Sequence, residues 1–171
     1  MTEQLPLVFG DASDVSSGLI TGPENELAIK WLKNWPDWPP PSRFLNIFGP
    51  VACGKSRLGE FHRQRTQAQI LTRLDSWDPR SLTGSHFILD DITQSKNWSE
   101  EALFFLYQTV TENSGTILFL SDKPISNMAW QFDDLRSRFR SVNAQEILPL
   151  SEASLRPLLE HHFTQRQCVI S

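Results

Sequence analysis

The sequence predicts an α/β domain of three layers, a parallel sheet covered by helices on both faces. Two observations predict it. Short, largely apolar runs, Phe44–Phe48, Phe87–Leu89 and Thr116–Leu120, alternate with longer helix-like stretches, as strands buried on both faces and joined by crossovers require. The first of these runs also feeds Gly49-Pro50-Val51-Ala52-Cys53-Gly54-Lys55-Ser56, a glycine loop of the form that cradles phosphate between a strand and a helix. With 171 residues, 39% of them hydrophobic, the chain can bury one full core, and its length suits one domain better than two.

The elements follow in order. Residues 1–18 mix Gly, Asp and Ser around the compact apolar cluster Leu5-Pro6-Leu7-Val8-Phe9, which reads as a flexible arm carrying a short adhesive segment. From Pro23 to Trp35 the spacing of Leu27, Ile29, Trp31 and Leu32 predicts a helix, with Pro23 near its start and Pro36 at its end. The run Pro36-Asp37-Trp38-Pro39-Pro40-Pro41 is stiff, lacks the N–H groups a sheet needs, and so forms a connector into the strand Phe44–Phe48. After Lys55 a helix runs to about Arg65, followed by a short strand around Ile70–Leu74 and a polar loop. The strand Phe87–Leu89 ends in Asp90-Asp91. A helix from about Ser99 to Glu112 follows, with Glu100 and Glu101 at its positive end. Thr116–Leu120 is the next strand, and Ser151 caps a last helix that ends near Gln165, with Pro157 distorting or shortening it.

Composition excludes several classes of function. A net charge of −4 and a pI near 5.5 provide no global attraction for nucleic acid, so direct DNA binding is not expected. The two cysteines are Cys53 and Cys168, and a disulfide at Cys53 would obstruct the glycine loop, which suits a reducing compartment. The start of the chain has no signal-peptide pattern, and no apolar run is long enough to cross a bilayer. A soluble, cytoplasmic protein is expected.

Four groups of residues carry chemistry. In the glycine loop, backbone N–H groups must approach polyphosphate closely, and a side chain at Gly49 or Gly54 would obstruct the turn. Lys55 is expected to reach the β and γ phosphates, Ser56 to offer a hydroxyl to Mg²⁺, and the helix continuing through Arg57 to present its positive end. Asp90 and Asp91 stand at the C-terminal end of an apolar strand, where open α/β sheets place ligand groups: Asp90 would hold Mg²⁺ through water and Asp91 would orient an attacking water. Without the glycine loop the same pair reads as a solvated turn. Leu120-Ser121-Asp122-Lys123 would bring polar groups beside the γ-phosphate if its strand neighbours the loop's strand, and is equally an ordinary strand-to-turn transition. Finally, Asp133-Asp134-Leu135-Arg136-Ser137-Arg138-Phe139-Arg140 carries three arginines, which by themselves read as a solvated helix end. Held at a surface, one of them could complete a nucleotide site on a neighbouring molecule.

The glycine loop, Asp90-Asp91, Ser121-Asp122 and Asp134-Leu135-Arg136-Ser137-Arg138-Phe139, in that order, resemble the AAA+ family and, within it, the replication initiator DnaA and its relatives. The resemblance implies that Arg138 is an arginine finger acting on a neighbour's ATP, that Asp122 is the sensor residue, and that Gly22-Pro23-Glu24-Asn25 lies near the adenine base. Two features resemble the regulatory members that inactivate DnaA. The chain has no room for a DNA-binding domain, and Gln4-Leu5-Pro6-Leu7-Val8-Phe9 resembles their motif for docking on the DNA polymerase sliding clamp. Leu5, Leu7 and Phe9 would be its apolar anchors, and Gln4 would hydrogen-bond at the pocket rim. The Trp-rich connector Trp35–Pro39 is also similar to theirs.

What the resemblance implies is a nucleotide-binding protein, holding ATP or ADP with Mg²⁺, whose partners are the DnaA initiator and the sliding clamp, with a homodimer left open. Its own ATPase activity is at most weak. Such proteins continue into a helical lid, which this chain largely lacks, so the expected division is an arm at 1–18, a nucleotide-binding domain at 19–150 and the start of a truncated lid helix at 151–171. A missing lid is expected to weaken nucleotide binding. An adaptor that binds nucleotide without activating hydrolysis would share every nucleotide motif. A self-sufficient ATPase or small-molecule kinase fits less well, because the arginine segment is DnaA-like and no acceptor lid is evident.

Overall fold

The computed structural model of the chain describes residues 19, 21–72, 85–93, 98–149 and 151. The arm with Gln4, Leu5, Leu7 and Phe9, residues 73 and 74 of the expected second strand, and the helix after Ser151 lie outside them.

Among the described residues five strands, β1 (Phe44–Phe48), β2 (Gln69–Leu71), β3 (His86–Leu89), β4 (Thr116–Ser121) and β5 (Asn143–Glu146), form one sheet in the order β2-β3-β4-β1-β5. Every pairing is parallel. The helices are α1 (Glu26–Lys33), α2 (Lys55–Thr66), α3 (Glu100–Glu112) and α4 (Asp133–Phe139), with a 3-10 turn at Ile125–Asn127. The central strand β4 is buried along its whole length, which is why Ile117–Leu120 between its end residues is an unbroken apolar run.

Local chemistry accounts for where the helices begin. Asn25 accepts the Gly22 N–H on its side-chain oxygen and Glu26 N–H bonds to the Gly22 carbonyl, so a turn occupies the segment after Pro23 and α1 starts later than its apolar spacing suggests. At α3 the Ser99 hydroxyl accepts the Ala102 N–H at 3.0 Å, and Glu100 and Glu101 fill the first turn.

The two faces of the sheet carry separate cores. Ala28, Ile29 and Leu32 of α1 and Leu58 and Phe61 of α2 pack on Leu45, Ile47, Ile88 and Leu118. On the other face Leu103, Leu106 and Val110 of α3 and Leu135 and Phe139 of α4 pack on Phe44, Phe87, Ile117 and Phe119. This is the three-layer arrangement the sequence predicts.

The strand β5 is a departure from the sequence reading, which leaves Asn143–Glu146 unassigned. Its residues alternate between half-buried and exposed and include only one apolar side chain, Ala144. What makes it a strand is pairing with β1, from Leu45 opposite Asn143 to Phe48 opposite Glu146. Asn143 anchors it by donating to the Ser42 and Pro39 carbonyls at 2.9 and 3.0 Å.

The connector between α1 and β1 is fastened by its tryptophans. Trp38 donates its indole N–H to the Trp31 carbonyl and stacks on His62, while Trp35 donates to the Thr116 hydroxyl and meets His62 and His86 edge-on. His62 is almost fully buried and its Nδ1 has no partner among the described residues. Desolvation by this apolar cage, with help from His86 and Arg65, lowers its pKa to about 4 from the ordinary 6.5.

That burial makes stability depend on pH. The unfolded imidazole binds its proton first as pH falls, so the stability present in full above pH 6.5 is lost as pH drops through the folded value near 4. Over that interval the expected loss is about 3 kcal/mol from His62, with His86, whose pKa burial also lowers, adding in the same direction. Urea unfolding at a series of pH values should show this slope, and His62→Phe should flatten it. An undiminished slope in the variant would assign the effect to other groups.

Candidate functional site

The glycine loop leaves β1 at the edge of the sheet where all five parallel strands end, and α2 begins directly after it. Its two glycines are required for different reasons. A Cβ on Gly49 would collide with the carbonyl oxygen of Ile147 and come within 2.9 Å of that residue's Cγ1. Gly54 instead faces open space but holds φ at +101°, which side chains resist. Ala52 also adopts a left-handed backbone, at φ 64°. Cys53 is buried against Gly49, and Val51 is 80% exposed at the tip.

Lys55 turns back over the loop. Its ammonium donates to the Gly49 and Pro50 carbonyls, both at 2.8 Å, and lies 3.1 Å from a carboxylate oxygen of Asp122. The Lys55 side chain is only 11% exposed and that of Asp122 is 46% exposed. Ser56 and Arg57 stand exposed in the first turn of α2, which has no acidic residue and no side-chain cap. The positive end of this helix is therefore open to an anion.

Asp122 reaches Lys55 because β1 and β4 are neighbours, with Phe48 opposite Ser121 and the Gly49 N–H bonded to the Ser121 carbonyl at 3.2 Å. The condition attached to Ser121-Asp122 in the sequence is thus met. On the other side of β4, β3 ends level with it: Leu89 pairs with Phe119 and Ile92 N–H bonds to the Leu120 carbonyl. Asp90, half-buried, and Asp91, exposed, follow β3. Asp91 is held at φ 57°, its carboxylate accepts from the Thr93 hydroxyl at 2.7 Å, and its carbonyl accepts from the Trp98 indole at 3.2 Å. A serine hydroxyl and a carboxylate are hard oxygen donors of the kind Mg²⁺ prefers, so Ser56 and Asp90 suit that ion.

The turn Gly22–Asn25 joins the same edge. Leu148 N–H bonds to the Glu24 carbonyl and Ser151 N–H to the Glu24 carboxylate, while the adjoining Ile147 packs on Gly49. Arg138 is separated from all of these. It belongs to α4, in the helical layer opposite α2, and its guanidinium lies over the rings of Phe104 and Tyr107 at 4.6 and 5.4 Å. Among the described residues its guanidinium has no hydrogen-bond or ion-pair partner, whereas Arg136 pairs with Asp133.

Sequence reasoning missed Asn46. This fully buried amide in β1 bonds to Phe119, Ser121 and Ile125, the segment that carries Asp122. The signal was available, since an asparagine interrupts an otherwise apolar strand.

No model of a protein family matches the chain, and no curated protein is significantly similar to it in sequence. Solved structures do resemble it. Domain III of the replication initiation protein DnaA from Thermotoga maritima aligns over 90% of this chain and 75% of its own, with 17% identity and a TM-score of 0.68. AMPPCP-bound DnaA from Aquifex aeolicus aligns over 90% of this chain at 17% identity and a TM-score of 0.66, and DnaA bound to AMPPCP and single-stranded DNA over 90% at 18% and 0.64. The chain spans 55% of each of these two longer structures. It therefore has the fold of DnaA domain III, the AAA+ fold.

The glycine geometry sets a measurable difference. Gly54→Ala, strained but unobstructed, is expected to cost about 1–2 kcal/mol in urea unfolding. Gly49→Ala should cost more, because the strand end must move from Ile147. Equal losses would contradict the distinction.

Proposed function

We propose that the chain is a nucleotide-binding regulator of DNA replication initiation of the Hda type. It binds ATP or ADP with Mg²⁺, docks on the DNA polymerase sliding clamp through Gln4, Leu5, Leu7 and Phe9, and stimulates ATP hydrolysis by DnaA through Arg138. The observation that carries the nucleotide part is the convergence on Lys55: an ammonium held 2.8 Å from the loop carbonyls and 3.1 Å from Asp122, beside an open helix N-terminus. A phosphate would exchange the carbonyl contacts of Lys55 for stronger, charge-assisted bonds. The likeness in fold to AMPPCP-bound DnaA supports the same reading.

In this reading Ser56 and Asp90 hold Mg²⁺, Asp122 stands at the terminal phosphate, and Asp91 is the position that orients water. Arg138 lies in the layer opposite α2, so its anion is sought on another molecule. An arginine supplied in trans stabilises the charge that develops during phosphoryl transfer. The work is negative regulation, since hydrolysis removes the ATP form of the initiator, and its setting is the cytoplasm.

A second reading, an adaptor that binds nucleotide without activating hydrolysis, is favoured by one observation. The Arg138 side chain lies along its own molecule's Phe104 and Tyr107.

Lys55→Ala should weaken ATP binding by roughly 10- to 100-fold, the size of one lost charge-assisted contact set, in a fluorescent-nucleotide titration. Unchanged affinity would remove the nucleotide assignment. With DnaA, clamp and DNA present, the parent chain should accelerate ATP hydrolysis, and Arg138→Ala should lower that acceleration by roughly 10³-fold or more if the residue acts as fingers do. Equal stimulation by the variant would reject the finger, and absence of stimulation by the parent would favour the adaptor. Leu5→Ala with Leu7→Ala should abolish capture on immobilised clamp, and retained capture would displace the arm from that role.

A further inference from the structure

Asn46 lies in the middle of β1, fully buried between Leu45 and Ile47. An amide in that position is costly unless its donors and acceptor are met. They are met mainly by one segment. Its Nδ2 donates to the Ser121 hydroxyl oxygen at 2.8 Å and to the Phe119 carbonyl at 3.2 Å, with a longer contact to the Ile47 carbonyl at 3.4 Å. Its Oδ1 accepts the Ile125 N–H at 3.0 Å, and the Ser121 hydroxyl in turn donates to the Lys123 carbonyl at 2.8 Å.

These bonds are not needed to join the strands. The ladder between β1 and β4 already runs from Phe44 opposite Ile117 to Phe48 opposite Ser121. The side chain adds a hold on what lies past the ladder, because Ser121 and Ile125 bracket Asp122 in sequence and both are tied to the same amide. A leucine at this position would fill a similar volume among apolar neighbours and remove the tie between β1 and the segment from Asp122 to Ile125, leaving that segment to the Ser121–Lys123 bond, the Trp130 bond to the Ile125 carbonyl and the burial of Ile125.

We infer that Asn46 is a positioning residue that sets Asp122 against Lys55 and thereby governs how the site distinguishes ATP from ADP. The inference rests on the nucleotide-binding reading above. Lys55 and Asp122 meet at 3.1 Å, so a terminal phosphate that engages Lys55 also meets the Asp122 carboxylate, and only ATP carries the γ-phosphate that tests their relative placement. A loosened segment changes the ratio of the two affinities, whereas a general loss of packing lowers both together.

The experiment measures ATP and ADP dissociation constants with Mg²⁺ for the full chain and for Asn46→Leu, Ser121→Ala and Leu118→Ala, by displacement of a fluorescent nucleotide under conditions where circular dichroism shows each variant folded. Leu118→Ala empties a buried site on β4 without touching the amide network and controls for stability. The expected result is a roughly tenfold change in the ADP-to-ATP ratio for Asn46→Leu, the worth of one or two buried hydrogen bonds, with a smaller change in the same direction for Ser121→Ala and none for Leu118→Ala. An unchanged ratio in both network variants, or an equal change in Leu118→Ala, overturns the role of Asn46 while leaving nucleotide binding intact. If Asn46→Leu does not fold, Ser121→Ala decides by the same criterion. A parent chain that binds neither nucleotide overturns the nucleotide reading and this inference with it.

Discussion

The pairing of β1 with β4 is the constraint on which the candidate site depends. Parallel strands end at one edge of their sheet, so the residues that follow β1, β3 and β4 are neighbours in space although they are far apart in the chain. The register with Phe48 opposite Ser121, closed by the Gly49 N–H on the Ser121 carbonyl, puts the glycine loop and Asp122 at the same height. One residue of slip would turn every side chain of β1 to the other face, taking the buried Asn46 away from its partners Phe119, Ser121 and Ile125. The meeting of Lys55 with Asp122 is a consequence of that register. The fit of Gly49 under Ile147 follows from the companion pairing of β1 with β5.

The same sheet separates the two groups of candidate residues. α2, with the open positive end beside Lys55, lies on one face, and α4, with Arg138, lies on the other. The groups at the strand ends therefore lie beside the glycine loop, and Arg138 lies apart from them. Its guanidinium rests on aromatic faces that satisfy the flat sides of the cation and leave its N–H edges without a partner among the described residues. Arg136, beside it, is already occupied by Asp133.

Two buried polar groups illustrate how differently such groups act. Asn46 has its hydrogen-bonding capacity filled by the segment around Asp122, so its desolvation is offset and the result is a rigid connection. His62 packs against Trp35 and Trp38 with no hydrogen-bond partner for its Nδ1 among the described residues, and responds by giving up its proton more readily. The first organises the strand ends, and the second makes the opposite, connector side of the fold sensitive to acid.

Much of this was legible from residues alone. Largely apolar runs marked β1, β3 and β4 because strands buried on both faces are mostly apolar, and Gly49 to Ser56 declared a loop whose conformation is dictated locally, at Gly54 by φ and at Lys55 by the start of a helix. β5 was not legible, since Asn143–Glu146 is a strand only through its partner and carries almost no apolar signal. Nor was the company kept by Lys55, Asp122, Asn46 and Arg138. Local order in the chain sets which segment can be a strand, a loop or a helix, because backbone sterics and short-range periodicity act within a few residues. Which strands lie side by side, in which register, and on which face each helix packs are settled by long-range burial and hydrogen bonding, and these decide which of the charged residues can act together.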